Sequence, residues 1–369
     1  SFVRDLAADC YATGGRPSID PEVFFRLQLL MFFERIPSER QLMEQASYNL
    51  AMRWYAGYNL DEPLPDHSTL SKIRTRLGLP VFRRFFETIV EQCAQAGLVW
   101  GKELIFDATK VRANASMESL KPVLHLVVDD HLAALAETEA QVPEGAPRWE
   151  LLEECRLDPA RPQTSKSGRQ SDFRRSPTDP DAALMKPKGE RTCLGYQNHY
   201  VVDGGKARII LHALIMPGDV MENQPMLDQL RRVIFRWRVK PKRVIADTTY
   251  GTIDNIRALE ESGIRAYVPL PDWEHQRPFY GPAQFTYDAA HDVYVCPEGT
   301  LLLPVRREYT AEKVEYRAEA AICNACSRKA ECTPSDAGRA VHRSFHAAYL
   351  DRVRSYHETE GYQLSLIHI

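Results

Sequence analysis

Two aspartates stand in a setting that chemistry can use. Asp107 in "ELIFDATKV" and Asp247 in "RVIADTTYG" each close a short apolar run and are followed by turn-type residues. An acid at the carboxyl end of a buried strand is held by a rigid scaffold yet opens on the crevice where α/β sheets place ligands. If the two strands are neighbours, the carboxylates repel unless a cation lies between them, and hard oxygen donors suit Mg²⁺. Two such ions about 4 Å apart activate a water or a 3′-hydroxyl on one side of a phosphate and stabilise the oxygen leaving on the other. That chemistry cuts and joins nucleic-acid strands. The competing reading is local: Asp247 before "TTYG" forms an Asx turn, and Asp107 or Asp254 caps a helix.

A second constellation is made of thiols. Cys296, Cys323, Cys326 and Cys332 occur as "CPEG", "CNAC" and "EC", and four thiolates suit tetrahedral Zn²⁺ in a structural site. Free buried thiols or a redox pair are the alternatives. His342 and His346, at i and i+4, offer substitute ligands, although a helix surface is the simpler reading of both. Cys10, Cys93, Cys155 and Cys193 are scattered and read as reduced structural residues. His199 and His212 read as satisfied sheet residues, and Tyr250 as either a packing residue or a DNA contact.

The elements that must position these groups are legible from their punctuation. The first hundred residues read as helical. Asp20–Pro21 starts one helix that ends before Pro37, and Ser38 with Gln41 starts the next. A third opens near Asp66 or Ser68 and stops at Gly78, and a fourth runs from Pro80 to Gly97. The third carries Lys72, Arg74 and Arg76, placed to track phosphates as in helix-turn-helix proteins or else to form a solvated face. From Lys102 strands take over. The run holding Asp107 is followed by a pair, "GYQNHYVVD" and "ARIILHALIMPGD", joined at Gly204–Gly205. A helix from Pro225, the strand "RVIAD", a helix from Asp254 to Ser262 and the strand "RAYVPL" come next. This order implies a mixed sheet with helices packed on its faces.

Between the first strand and the pair lies an interruption, 122–194. Its first part reads as a helical pair. Its second, rich in Pro, Ser and Arg and without a hydrophobic period, reads as a mobile loop. Arg161, Lys166, Arg169, Arg174, Arg175, Lys186, Lys188 and Arg191 make it a candidate DNA-contacting arm, with surface solubility as the alternative. A further basic cluster, Arg231 to Arg243, precedes the second aspartate strand. The net charge of −3 and the 44% hydrophobic content describe a globular chain without a global polycation, so DNA binding would have to come from local patches. The most apolar segment, Pro21 to Ile36, is too short to span a bilayer and contains Arg26 and Glu34. No signal peptide is visible, and the expectation is a cytoplasmic protein without a membrane partner.

Taken together, "LIFDATKVRANAS", "TDPDA", "GYQNHYVVD", "VIADTTYGTIDNIRALEESGIRAYVPL", the late cysteines, and the helical "GRPSIDPEVFFRLQLLMFFERIPSERQLMEQ" and "PDHSTLSKIRTRLG" resemble insertion-sequence transposases of the DDE class. The resemblance implies an α/β fold: a ribonuclease H-like mixed sheet flanked by helices, preceded by an all-α N-terminal domain and carrying a cysteine-bearing insertion. It implies a metal-dependent DNA transposase that cleaves transposon ends and transfers 3′-hydroxyl ends to target DNA, with Mg²⁺ or Mn²⁺ on Asp107 and Asp247 as the first two family acids. Partners would be terminal-repeat and target DNA, bound by a homo-oligomer. The expected organisation is a helical DNA-binding domain at 1–100, a catalytic core at 101–271 interrupted at 122–194, the cysteine insertion at 272–335 and the start of a C-terminal helical part at 336–363. The family's third acid, a glutamate on a later helix introduced by Tyr and Arg, has no counterpart run here, and Glu315, Glu319, Glu358 and Glu360 are not assigned to it. The last residues, "LSLIHI" from Leu364 to Ile369, resemble a translated sequencing adapter. The expectation is therefore a non-native tail on a truncated, inactive chain. The alternatives are a catalytically dead DNA-binding remnant and a metal-dependent nuclease.

Overall fold

The computed structural model describes residues 1–11, 14, 18–122, 174–270 and 279–367. The chain divides into two units, Ser1–Leu98 and Val99–Ile369. The described residues of the first hold five α-helices, α1 (Phe2–Leu6), α2 (Pro21–Phe33), α3 (Glu39–Tyr48), α4 (Leu50–Ala56) and α5 (His67–Gln95), of which α2, α3 and α5 start at caps written in the sequence. Asp20 accepts the Glu22 N–H at 2.8 Å with Pro21 in the first turn, Ser38 accepts from Gln41, and Asp66 accepts from Ser68. Each satisfies an amide that the helix start leaves without a partner. α4 was not among the expected helices. Asn49 ends α3 and caps the new helix through the Ala51 and Met52 amides. The expected third and fourth helices form one element broken at Gly78, where φ is +65° just before Pro80. A side chain is strained at that φ, and Pro80 has no N–H to continue the ladder. Phe24, Leu27, Leu42, Ala46, Leu70 and Ile73 fill the core of this unit, and Phe25 stacks on Phe85 with centroids 4.4 Å apart.

Among the described residues, the second unit is built on a six-stranded mixed sheet. β1 (Glu103–Arg112) lies between β5 (Cys193–Asp203), which is antiparallel to it, and β7 (Arg243–Ile245), which is parallel. β8 (Arg265–Tyr267) continues in parallel beyond β7. On the far side of β5, β6 (Ile210–Pro217) and β4 (Ala183–Met185) share its edge. The spatial order β6-β5-β1-β7-β8 is an antiparallel meander extended by two parallel strands, the ribonuclease H-like arrangement. α6 (Met226–Trp237) links β6 to β7 and is pinned to β6 by the Trp237 indole N–H on the Leu211 carbonyl at 2.9 Å. α7 (Ile253–Glu261) links β7 to β8. It is capped by Thr252 in place of the expected Asp254 and stopped at Gly263, whose φ is +73°.

One register row crosses the sheet as Val202, Ile105, Ile245 and Tyr267. It is covered by Tyr356 from α10 (Ala347–His357) and Tyr362 from α11 (Glu360–Leu366). Glu260 ties this cover to the strands: its buried carboxylate accepts the Ala266 N–H at 3.0 Å and the Tyr356 hydroxyl at 2.9 Å.

Two expectations are corrected here. Part of the supposed mobile loop is sheet: Arg174–Arg175 (β3) pairs with Lys121–Pro122 (β2), and the short run Ala183–Met185 joins β5. Met185 fits because Gly195 and Gly218 present no side chain where a Cβ would meet it at 2.3 Å and 3.0 Å. The expected helical pair at 123–135 and the basic residues Arg161, Lys166 and Arg169 lie outside the described residues. His199 is fully buried, and neither ring nitrogen finds a hydrogen bond among the described residues. The side chains of its register partners Ala108 and Leu214 offer no acceptor, and burial lowers its pKa.

The cysteine insertion holds an antiparallel sheet of β9 (Thr286–Asp288), β10 (Val293–Val295), β11 (Leu301–Glu308), β12 (Lys313–Arg317) and β13, in the order β13-β12-β11-β10-β9. Its edge strand β13 (Ala340–Ser344) lies in the stretch expected to start the C-terminal helices. His342 is therefore a strand residue and not part of a helix surface, and His346 immediately precedes α10.

Where the pair β5–β6 turns, Asp203 is fully buried and its carboxylate accepts three backbone N–H groups, from Trp100 (2.9 Å), Gly101 (2.7 Å) and Gly205 (3.0 Å). Asp203→Ala would strand all three donors and is expected to cost about 3 kcal/mol. Urea denaturation checks this, and a loss below ~1 kcal/mol would remove the carboxylate from its structural role.

Candidate functional site

The last paired residues of β1 and β7 are Ile105 and Ile245. Asp107 and Asp247 each stand two residues beyond that pair. Two adjacent parallel strands thus deliver their acids at the same step past the ladder, and strand alternation puts both on the face of Ile105 and Ile245. β1 continues past this point against β5, with Asp107 opposite Tyr200. β7 instead ends and turns into the 3₁₀ segment Thr248–Tyr250. The strands part at the acids, which opens the crevice.

Each carboxylate is oriented by its own chain. Asp107 Oδ1 accepts the Ala108 N–H at 2.8 Å. Asp247 Oδ1 accepts the Thr249 N–H at 2.9 Å and caps the 3₁₀ turn, with the Thr249 hydroxyl 3.4 Å from Oδ2. The Asx-turn reading of Asp247 and its place in a paired-acid site are therefore compatible, because one oxygen serves the cap. Tyr250 is buried and packs beside Phe106, with ring centroids 6.4 Å apart. Burial drives its hydroxyl pKa upward, and the charges of Glu222, Asp107 and Asp247 add to the shift.

Glu222 is the residue that sequence reasoning missed. It lies half-buried in the turn between β6 and α6, near Gln197, whose amide nitrogen is 3.5 Å from its Oε1. Burial holds its carboxyl above the usual carboxylate range, and Asp247 and Asp107 push it the same way against the opposing pull of Lys110. The structure thus gathers three acids into one electrostatic neighbourhood around Tyr250. Among the described residues, no three His, Cys, Asp or Glu side chains are disposed as a finished metal ligand set. The only sequence signal for Glu222 was an acid in the turn "PGDVMENQP", and nothing in that turn says which sheet edge it faces.

The other singled-out residues fall elsewhere. Glu315 ion-pairs with Arg317, Glu319 precedes the helix at 320–324, Glu358 ends α10 and Glu360 opens α11. In the helical unit, Arg74 is engaged with Glu39 and Gln28, and Arg76 with Ser18 and the face of Tyr11 at 4.4 Å, whereas Lys72 is exposed on the same helix. Arg174 and Arg175 sit on β3, and Arg169 lies outside the described residues. Cys296, Cys323, Cys326 and Cys332 line one cavity in the insertion.

An antiparallel meander extended by two parallel strands, with acids at the ends of its first and fourth members, defines an α/β protein of the ribonuclease H-like class. Residues 103–313, more than half of the chain, match the family described as "Transposase DDE domain", and residues 1–76 match "Transposase domain (DUF772)". The chain belongs to the DDE-domain transposase family. Two solved structures are similar to parts of it. "Mos1 transposase paired-end complex with left transposon end" has a TM-score of 0.20 and 13% identity, over 69% of this chain and 61% of that one. "Crystal structure of the Mos1 mariner paired end complex with Mn" has a TM-score of 0.19 and 14% identity, over 73% and 65%. No curated protein matches the chain.

The raised pKa of Glu222 has a sign that can be measured. A carboxyl whose folded-state pKa lies above its unfolded value contributes stability that is present below the unfolded value and lost as pH rises through the folded one. In metal-free buffer, Glu222→Gln is expected to stabilise the fold at neutral pH relative to the parent, with the gain vanishing below the ordinary glutamate range. Denaturation curves at both pH values test this, and an equal effect at both would rule out an electrostatic origin.

Proposed function

We propose that this protein cleaves transposon ends and transfers the freed 3′-hydroxyl to target DNA, with Asp107 and Asp247 holding divalent metal ions. The observation that carries the proposal is the shared register: both acids stand two residues past the Ile105–Ile245 pair on adjacent parallel strands. Carboxylates so placed repel one another, and the upward push that both exert on Glu222 is a trace of that field. Oxygen donors in a negative pocket fit a hard cation, Mg²⁺ or Mn²⁺. Water and phosphate oxygens would complete the shell of such an ion. When bound, the metal supplies Lewis-acid activation of the attacking oxygen and charge stabilisation at the phosphate.

The chain's own residues set the stage. The Ala108 and Thr249 amides orient one oxygen of each aspartate. Tyr250 keeps its proton under the crevice floor, because the surrounding acids and burial both oppose its ionisation. The row Ile105, Ile245 and Tyr267, under Tyr356 and Tyr362, keeps water from the strands just behind the acids.

DNA is the proposed partner, and assembly as a homo-oligomer on paired ends belongs to the same reading. Lys72 is exposed on α5 and offers a phosphate contact in the helical unit. Arg74 and Arg76 would have to exchange their present partners for phosphates, and Arg174 and Arg175 offer cations on β3. Among the described residues, no helix is long and apolar enough to cross a membrane.

Mn²⁺ binding followed by electron paramagnetic resonance tests the metal assignment without requiring turnover. Asp107→Ala and Asp247→Ala are each expected to weaken binding by roughly tenfold or more. Unchanged affinity in both variants would overturn the assignment. Cleavage of end-sequence DNA by the same variants then addresses the reaction itself.

A further inference from the structure

The insertion contains more order than its core explains. Its sheet buries only a small cluster, with Tyr294, Leu302, Val314 and Tyr316 at the centre. The two helices beside it, Ala320–Asn324 (α8) and Lys329–Cys332 (α9), span five and four residues. Helices that short do not hold themselves in water, and small cores of this kind depend on staples. The described cysteines are free thiols, so no disulfide serves.

Four of those thiols converge. Cys296, Cys323, Cys326 and Cys332 line a cavity of about 30 Å³, with Arg328 and Arg339 also in its wall. Cys296 sits in a tight turn between β10 (Val293–Val295) and β11 (Leu301–Glu308). There its N–H and C=O are both engaged, by the Thr300 carbonyl and the Gly299 amide at 2.9 Å each. Gly299 has a φ of +80°, a conformation that favours glycine. The turn aims the Thr300 N–H at the Cys296 sulfur, 3.3 Å away. The Arg339 N–H stands 3.5 Å from the Cys323 sulfur. Amides directed at sulfur are the outer contacts that orient a ligating thiolate.

Arg339 reaches across the same cavity wall to the Cys332 carbonyl at 2.9 Å, and its guanidinium offsets part of the net negative charge of a four-thiolate complex. The histidines are committed elsewhere: His346 contacts Glu312 at 3.1 Å and Arg257 at 3.2 Å, and His342 is exposed on β13.

We propose that Cys296, Cys323, Cys326 and Cys332 bind one structural Zn²⁺, which staples the β10–β11 turn to the helices at 320–332. The sulfurs are not disposed as a finished ligand set, so binding draws them inward by side-chain rotation. The site is independent of the aspartate pair.

The test uses the full chain, purified without chelator. Plasma mass spectrometry is expected to find one zinc per chain. Replacement by Co²⁺ should give the absorption of a tetrahedral thiolate complex. Alkylation read by mass spectrometry should spare these four cysteines until a strong chelator is added, while Cys10 and Cys93 react alike in both states. Cys323→Ser should lose the metal and Cys93→Ser should keep it. If Cys323→Ser does not fold, the alkylation pattern of the parent chain still decides the matter. A folded parent chain without zinc, or one whose zinc protects other residues, overturns the proposal.

Discussion

The parallel pairing of β1 with β7 is the constraint on which the rest of the catalytic unit depends. Three register partners, Glu103–Arg243, Leu104–Val244 and Ile105–Ile245, join segments 140 residues apart. The pairing is sealed at its start by the ion pair of the buried Glu103 with Arg243, whose guanidinium also lies over Trp100 and Tyr267. A one-residue slip would turn Asp247 to the opposite face from Asp107. The buried row under Tyr356 and Tyr362 resists that slip, because Ile245 and Tyr267 would leave the core with it. Packing behind the acids and their placement therefore have the same cause.

The local caps and the tertiary site make use of the same atoms. Asp247 does what an isolated sequence reading allows, since it caps a turn, and the cap orients the carboxylate. A strand-end acid held by its own backbone needs few supporting side chains, which suits the polyanion that the proposed function brings to this crevice. Tyr250, directly behind, is a packing residue. Its burial explains why the choice between packing and DNA contact goes to packing.

Much of the fold was legible because helix starts and strand ends are marked by local chemistry. Asp20–Pro21, Ser38–Gln41 and Asp66–Ser68 are caps that any short peptide would favour. Gly78–Pro80 and Gly263 are breaks with a backbone reason. The missed elements lacked such marks. α4 begins at a single Asn49 between two helices. β4 is three residues long and is a strand only because Gly195 and Gly218 leave room for Met185. β13 follows the cysteines without a period of its own and becomes a strand only by pairing with β12.

The sequence by itself determined the helical start, the meander, and the alternation of helix and strand that follows it. It also marked Asp107 and Asp247, because apolar runs ending in an acid and a turn are local patterns. Only the tertiary structure decided that these strands are neighbours in a register that matches the two acids. It alone drew Glu222 into their field and gathered the four cysteines of three separate segments around one cavity. These outcomes depend on contacts between residues far apart in the chain. Periodicity and capping carry no information about such contacts, and burial of a shared core selects them.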